Sequence, residues 1–344
     1  MKNKKSLRML LWACILLLLS AGTGCGRTGD AAKGQGMQAE KLQIVTTIYP
    51  PYDFAKNVGG DLVEVTMLLK PGMESHSYEP TPADMIRIMK SDIFLYAGGE
   101  SDVWVEELLG AGETNTRAYP LLDWVDPIEE ETVEGMQTKG HTHEHEEDEE
   151  CHHDTEDDEA VHLHEGEYDE HVWTSPQNAM LIVGRLEEIF SELDPENGGV
   201  YQENTRIYLE KLEALDQTFR TVTQNARHNT LIFGDRFPLL YFVRTYGLDY
   251  YAAFPGCSME TEPSASMVAF LTDKVKEEQI PVIFYLELSN GKIAEAIAEC
   301  TDAQTAVFYS GHAITADDLE AGEDYISLMY RNVDSLKTAL GEKK

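Results

Sequence analysis

The sequence predicts an α/β protein with two lobes, each built on a parallel sheet, joined by a long rigid helix. The chain has 344 residues, of which 42% are hydrophobic, so it is long enough for two domains that each bury a core. Strand-like apolar runs alternate with helical segments before residue 100 and again after residue 229. Such alternation is typical of parallel sheets. Between the two series lies one long stretch with helical periodicity only.

The first lobe is predicted to span residues 41–174, with an acidic insertion at 129–170. Three apolar runs indicate buried strands: Leu42–Thr47, Val63–Leu68 and Asp92–Ala97. Between the last two, Thr81 precedes Pro82. A proline in the first helical position is a typical helix start, so the pattern of strand, helix and strand favours a parallel sheet.

Linking helices are predicted over residues 175–228. A Ser-Pro pair opens the segment Gln177–Leu193, and an Asp-Pro pair begins a second helix that runs to about Arg227. In this second helix the apolar positions recur at steps of three, four and seven: Tyr201, Tyr208, Leu212, Leu215, Phe219 and Val222. About thirty helical residues span about 45 Å, which suits a stiff connection between two lobes.

The second lobe is predicted over residues 229–344, where strands and helices alternate again. The predicted strands are Thr230–Gly234, Pro281–Leu286 and Thr305–Ser310. The predicted helices are Asp235–Tyr246, Pro263–Gln279, Lys292–Cys300 and Gly322–Leu340. The two lobes are therefore expected to share one architecture.

The start of the chain predicts export. Four basic residues precede the apolar run Met9–Leu19, which as a helix is about 17 Å long and too short for a bilayer core of about 30 Å. Residues 1–25 thus read as a signal peptide. Its end resembles a bacterial lipoprotein site with Cys25 as the lipidated residue, although Gly22 departs from the usual aliphatic residue. Residues 26–40 form a flexible tether. We expect a lipoprotein at the outer face of the cell membrane; a free periplasmic or extracellular protein is the alternative.

The charge of the chain is concentrated in one insertion. There are 62 acidic and 27 basic residues, giving a net charge of -35, which excludes nucleic acid as a partner because no basic surface can neutralise phosphates. Roughly a third of the acidic residues lie in Glu129–Glu170. Seven histidines stand close together there: His141, His143, His145, His152, His153, His162 and His164. We expect weak binding of several metal ions; a metal sensor and an inert polyanionic loop are the alternatives.

Three further histidines follow or adjoin predicted elements at the ligand-binding side. His76 follows the strand Val63–Leu68, His171 precedes the linking helices, and His312 follows the last strand. Ligands bind beyond the carboxyl ends of parallel strands, whereas His228 precedes a strand and reads as a helix-terminal residue. Imidazoles with a carboxylate form the ligand set that zinc accepts, so a metal is expected in the cleft between the lobes.

Five stretches carry a resemblance to a known family. They are TIYPPYDFAKNVGGD (47–61), PGMESHSYEPTP (71–82), DEHVWTSPQNA (169–179), YQENTRIYLEKLEALD (201–216) and AGEDYISLMYRNVDSLKTAL (321–340). In this order the chain resembles the cluster A-I solute-binding proteins of zinc and manganese ABC importers. The resemblance implies two α/β lobes, a long linking helix, one metal in the cleft, and a membrane permease with its ATPase as partners.

The resemblance also implies a ligand set. His76 and His171 match the two ligands of the first lobe, and Glu323 matches the carboxylate ligand of the second; the alternative for Glu323 is a carboxylate at a helix start. The third family ligand falls on Arg236. Arginine has no free lone pair and cannot ligate a metal.

Two residues are candidates to replace this third ligand. His312 is the first, because its loop faces the same cleft, and Asp235 is the second; a solvated loop residue is the alternative reading of His312. Arg236 is then expected to pair with a carboxylate and orient it.

We therefore expect a monomeric protein that captures Zn²⁺ and hands it to the importer. Mn²⁺ as the cargo, a zinc-binding adhesin and a metal-buffering surface protein are the alternatives. A zinc hydrolase is disfavoured because the sequence has no HExxH motif, nucleophile elbow or phosphate loop. Cys257 and Cys300 either form a disulfide, as exported proteins allow, or remain free buried thiols.

Overall fold

The computed structural model describes residues 41–73, 78–110, 114–136, 167–256, 258, 262–341 and 343. Several predicted features lie outside these ranges: the signal peptide with Cys25, the tether, His76, Cys257 and the seven histidines of the acidic insertion. Within the described ranges, no helix combines the length and the apolar character needed to cross a membrane. Cys300 carries a free and exposed thiol, so the expectation that it is buried is wrong.

The first lobe is built on a parallel sheet. Its strands are β1 (Leu42–Thr46), β2 (Val63–Met67), β3 (Ile93–Tyr96) and β4 (Arg117–Pro120), in the order β2-β1-β3-β4. Its helices are α1 (Tyr49–Gly59), α2 (Pro82–Ile88) and α3 (Val103–Gly110). Helix α2 begins where the sequence predicts it, because Thr81 and Asp84 cap each other's backbone N–H groups.

Two helices link the lobes, α4 (Pro176–Leu193) and α5 (Gly198–Gln224). The 27 residues of α5 span about 40 Å. All six residues of the predicted apolar stripe are buried, from Tyr201 at one end to Val222 at the other. The helix begins later than predicted, because Pro195 lies in a turn that is held by the Asp194 carboxylate, which accepts a hydrogen bond from Tyr201 Oη at 2.8 Å.

The second lobe repeats the architecture of the first. Its strands are β5 (Thr230–Phe237), β6 (Asp249–Pro255), β7 (Val282–Leu286) and β8 (Gln304–Phe308), in the order β6-β5-β7-β8, again all parallel. Its helices are α6 (Leu240–Tyr246), α7 (Ala265–Glu278), α8 (Lys292–Ala298), α9 (Ala316–Ala321) and α10 (Tyr325–Leu340). The fold class of two parallel-sheet lobes is thereby confirmed.

One predicted helix is wrong over its first part. The sequence predicted a helix over Asp235–Tyr246, but β5 continues to Phe237 and α6 begins only at Leu240. Pro238 explains the difference, because a proline disfavours the helical conformation for the residue before it. Asp235 and Arg236 therefore belong to a strand end, which is the ligand-binding side of a parallel sheet.

The two lobes share one apolar core through α5. Phe54 of α1 packs edge-on against Tyr325 of α10, with ring centroids 5.0 Å apart, and lies 6.2 Å from the ring of Tyr208 on α5. The Tyr208 hydroxyl donates to the Asp53 carboxylate at 2.8 Å, and the Tyr325 hydroxyl donates to the carbonyl of Trp173 at 2.6 Å. These contacts join first lobe, linking helix and second lobe at one buried junction.

Candidate metal centre

His171 stands at the junction of the first lobe with the linking helices. Its side chain is fully buried, just before the short helical turn Val172–Thr174. Asp169 holds it twice: Oδ1 accepts from the backbone N–H of His171 at 2.8 Å and lies 3.1 Å from Nδ1. A carboxylate on one ring nitrogen orients the other toward a metal, so Nε2 is the candidate ligand atom.

The environment of His171 favours its charged form. Burial alone would lower the pKa of His171, but the nearby carboxylates of Asp169, Glu170 and Glu130 raise it above its usual value. A site that concentrates negative charge in this way suits a cation. A metal ion on this imidazole would compete with a proton, so its binding would depend on pH.

His312 lies beside His171, although the two belong to different lobes. Their ring centroids are 5.3 Å apart and the rings are inclined by 69°. The indole of Trp173 packs against both imidazoles, at 5.6 Å from His171 and 5.0 Å from His312. The structure therefore brings together two of the histidines that the sequence placed on the ligand-binding side.

Two pockets meet at His312. One, of about 370 Å³, is lined mainly by the second lobe: Arg236, Gly256, Glu287, Ser310 and His312, with Met73 from the first lobe. The other, of about 360 Å³, is lined by Thr47, Leu69, Tyr78, Asp102, Glu170 and Trp173 of the first lobe, again with His312. His312 thus stands between the lobes, in the expected cleft.

The first-lobe pocket has an acidic wall. Burial raises the pKa of Asp102 to about 7, although its carboxylate accepts a hydrogen bond from the backbone N–H of Gly98 at 3.0 Å. Burial also raises the pKa of Glu170, which accepts from the backbone N–H of Ser101 at 2.7 Å. Both carboxylates lie within the cleft, where a cation would favour their ionised forms.

Asp235 and Arg236 occupy different positions at the end of β5. Asp235 is buried, and its two carboxylate oxygens accept from backbone N–H groups, of Arg236 at 2.8 Å and of Leu286 at 3.0 Å. It therefore fastens β5 to β7. The side chain that lines the cleft is Arg236. This placement argues against Asp235 as the replacement for the third ligand and favours His312.

Glu323 is not brought to the two histidines. It lies just before α10, where Arg331 Nη2 is 3.0 Å from its Oε1, and the same guanidinium also pairs with Asp318 at 2.8 Å. A hydrogen bond from Ser327 and the contact with Arg331 lower the pKa of Glu323. The residue lines neither pocket at His312, so the structure assigns it to an ion pair on the second lobe.

The described residues contain only part of a ligand set. Within the described ranges, which omit His76 and the acidic insertion, no three His, Cys, Asp or Glu side chains converge as they do around a metal ion. Two side chains at this site were not singled out from the sequence, one that holds His171 and one that lines the cleft. Asp169 lies two residues before His171, and Glu287 directly follows the strand β7; the strand-end rule that found His312 points to Glu287 as well.

Comparison with known proteins places this geometry in context. The family model of the periplasmic zinc-uptake complex component A matches residues 44–339. The chain is 30% identical to the high-affinity zinc uptake system protein ZnuA of Bacillus subtilis over 99% of both chains. It is 31% identical to the zinc-binding lipoprotein AdcA of Streptococcus pneumoniae over 89% of this chain, but spans only 57% of the length of that relative. A crystal structure of the Zn(II)-bound ZnuA-like domain of AdcA superposes with a TM-score of 0.69 at 28% identity, covering 88% of this chain and 99% of that domain.

Proposed function

Because the chain belongs to the family of periplasmic zinc-uptake complex component A, we propose that it captures zinc outside the cell and delivers it to an ABC-type importer. The observation that carries the proposal is the pairing of His171 and His312 across the lobes, with ring centroids 5.3 Å apart. Two imidazoles in a cleft lined by carboxylates form a nitrogen and oxygen donor set that suits zinc better than manganese. Zinc is the cargo, held at equilibrium and released without chemical turnover.

His76 is the third proposed ligand. It lies outside the described residues, but the neighbours on either side of the segment 74–77 support its assignment. Met73 lines one of the two pockets at His312 and Tyr78 lines the other. These two residues flank the segment that carries His76. Three histidines would complete the nitrogen ligands of a zinc site that lacks the usual third family ligand at Arg236.

The membrane context is part of the proposal. The relative from Streptococcus pneumoniae is named a lipoprotein, which supports lipidation at Cys25 and attachment at the outer face of the membrane. The permease and its ATPase are the proposed partners, and the protein is proposed to act as a monomer. The seven histidines of the acidic insertion are proposed to bind further zinc ions weakly.

Zinc titration in competition with a chelating indicator tests the proposal. The metal-stripped protein is expected to bind one zinc ion tightly, and deletion of residues 140–165 should remove only weaker sites. His171→Ala and His312→Ala should each weaken the tight site by roughly 100-fold or more, as expected for the loss of a ligand. His228→Ala is the matched control, because this histidine lines neither pocket at His312. A tight site that survives the double substitution of His171 and His312 would refute the assignment.

A further inference from the structure

Glu287 occupies the end of β7 and lines the cleft together with Arg236 and His312. In the parallel sheet of the second lobe, β7 is the neighbour of β8. The residue that follows β7 therefore lies next to the loop that follows β8. That loop, Tyr309–Ala313, carries His312.

The Glu287 carboxylate holds this loop through both of its oxygens. Oε2 accepts from the backbone N–H of Ser310 and Oε1 accepts from its hydroxyl, each at 2.9 Å. The Ser310 hydroxyl in turn accepts from the backbone N–H of His312 at 3.2 Å. Ser310 is buried, with 2% of its surface exposed, so its hydrogen-bonding groups need protein partners. A chain of hydrogen bonds thus runs from Glu287 to the backbone of His312.

The other side of the loop is fixed independently. Asn332 of α10 exchanges two hydrogen bonds with the backbone of Tyr309, each at 2.8 Å. Asn332 anchors the residue at the start of the loop, whereas Glu287 holds the residues that approach His312. Of these two anchors, Glu287 is the one whose hydrogen bonds lead to the backbone of His312.

We propose that Glu287 is the positioning residue of the zinc site, acting through Ser310 on His312 without binding the ion. The inference rests on the proposed function, because it assumes that His312 ligates zinc. The carboxylate is engaged with Ser310 through both oxygens. Within the described part of the chain it also forms no three-donor group with the two histidines. Residues that orient a ligand typically change metal affinity by roughly 10- to 100-fold when they are removed.

A set of four variants, measured by zinc competition titration of the full chain, tests this role. Glu287→Ala should weaken zinc binding by roughly 10- to 100-fold. Glu287→Gln keeps an oxygen for the Ser310 N–H and offers an amide N–H to the Ser310 hydroxyl, so it should show a clearly smaller loss. Combined with His312→Ala, Glu287→Ala should add almost nothing, because its effect passes through that imidazole. Glu299→Ala, an exposed carboxylate in the same lobe, is the charge-matched control.

Each result decides the matter. If Glu287→Gln lost as much affinity as Glu287→Ala, the carboxylate would be a ligand and the positioning role would be refuted. An undiminished effect of Glu287→Ala in the His312→Ala background would refute it too. Should Glu287→Ala fail to fold, Ser310→Ala, which removes the hydroxyl link alone, should lower the affinity and do so only when His312 is present. If the unaltered chain binds no zinc tightly, the proposed function itself fails, which is a separate outcome.

Discussion

Gly311, between Ser310 and His312, offers a sharp test of how the backbone presents the metal site. Its φ is 70°, in the left-handed region, and a Cβ atom there would approach the Tyr325 ring to 3.1 and 3.2 Å. Gly311→Ala therefore introduces two penalties. The left-handed conformation costs an alanine roughly 1–2 kcal/mol, and the contact with a ring held by the Trp173 carbonyl pushes the loop away from its place.

Gly322→Ala separates the two penalties. Gly322 also has a left-handed φ, of 79°, but a Cβ atom there would meet nothing within 4 Å. Both variants should lose about 1–2 kcal/mol of unfolding free energy to backbone strain. Gly311→Ala should lose about 1 kcal/mol more from the crowded contact.

Zinc affinity distinguishes the two glycine variants. Urea unfolding of the metal-stripped chain measures the stability of each variant, and competition titration measures zinc binding. Gly311→Ala should weaken zinc binding by roughly 10-fold, since a small displacement of His312 misaligns a proposed ligand, whereas Gly322→Ala should bind zinc as the unaltered chain does. If the two variants lost equal stability and both kept full affinity, the reasoning about Tyr325 and the loop would be refuted.

Three further predictions concern charged groups. Burial raises the pKa of Asp53 to about 6 and that of Asp102 to about 7. A group whose pKa is higher in the folded than in the unfolded chain makes the fold more stable as the pH falls through its folded-state pKa. The raised pKa of His171 acts in the same direction. The unfolding free energy of the metal-stripped chain should thus rise by on the order of 2 kcal/mol between pH 8 and pH 5.5, as measured by urea unfolding. The double variant Asp53→Asn with Asp102→Asn should lose most of this increase. A decrease in unfolding free energy over the same range would contradict the prediction. Glu323→Ala should leave the zinc affinity within about threefold of that of the unaltered chain in a competition titration, because Glu323 pairs with Arg331. A loss of affinity as large as that of His312→Ala would indicate that Glu323 is a ligand. Asp235→Ala should cost about 2 kcal/mol of unfolding free energy, since two backbone N–H groups lose their acceptor, with Asp235→Asn losing less; an unchanged urea midpoint for Asp235→Ala would show that water replaces the carboxylate.

The elements that the sequence predicted well are those whose pattern is determined locally. The central strands are continuous runs of β-branched and aromatic residues, and the stripe on α5 follows helical spacing, so burial and periodicity agree. The strands β4 and β6, with sequences RAYP and DYYAAFP, were missed because proline, alanine and charged residues obscure them. They are strands because a neighbouring strand pairs with them.

The candidate metal site could also be predicted only in part from the sequence. His171 and His312 were predicted as partners because the strand-end rule is topological and needs no side-chain geometry. The role of Glu323 was implied by a motif alone, and only the folded chain reveals that Arg331 and Asp318 surround the position. Arg236 shows from the sequence that the expected third ligand is missing. Whether Asp235 can replace it depends on which of the two side chains faces the cleft, and only the folded chain shows that Arg236 does.

The buried junction of Phe54, Tyr208 and Tyr325 has a consequence for how the molecule moves. Domains that swing apart around a bound solute usually meet at a flexible connection with few contacts across it. Here the connection is a 27-residue helix whose buried face belongs to a core shared by both lobes. The two lobes should therefore melt in one cooperative transition. Entry and exit of the ion should depend on local shifts of the loops that line the cleft, with the lobes keeping their mutual orientation.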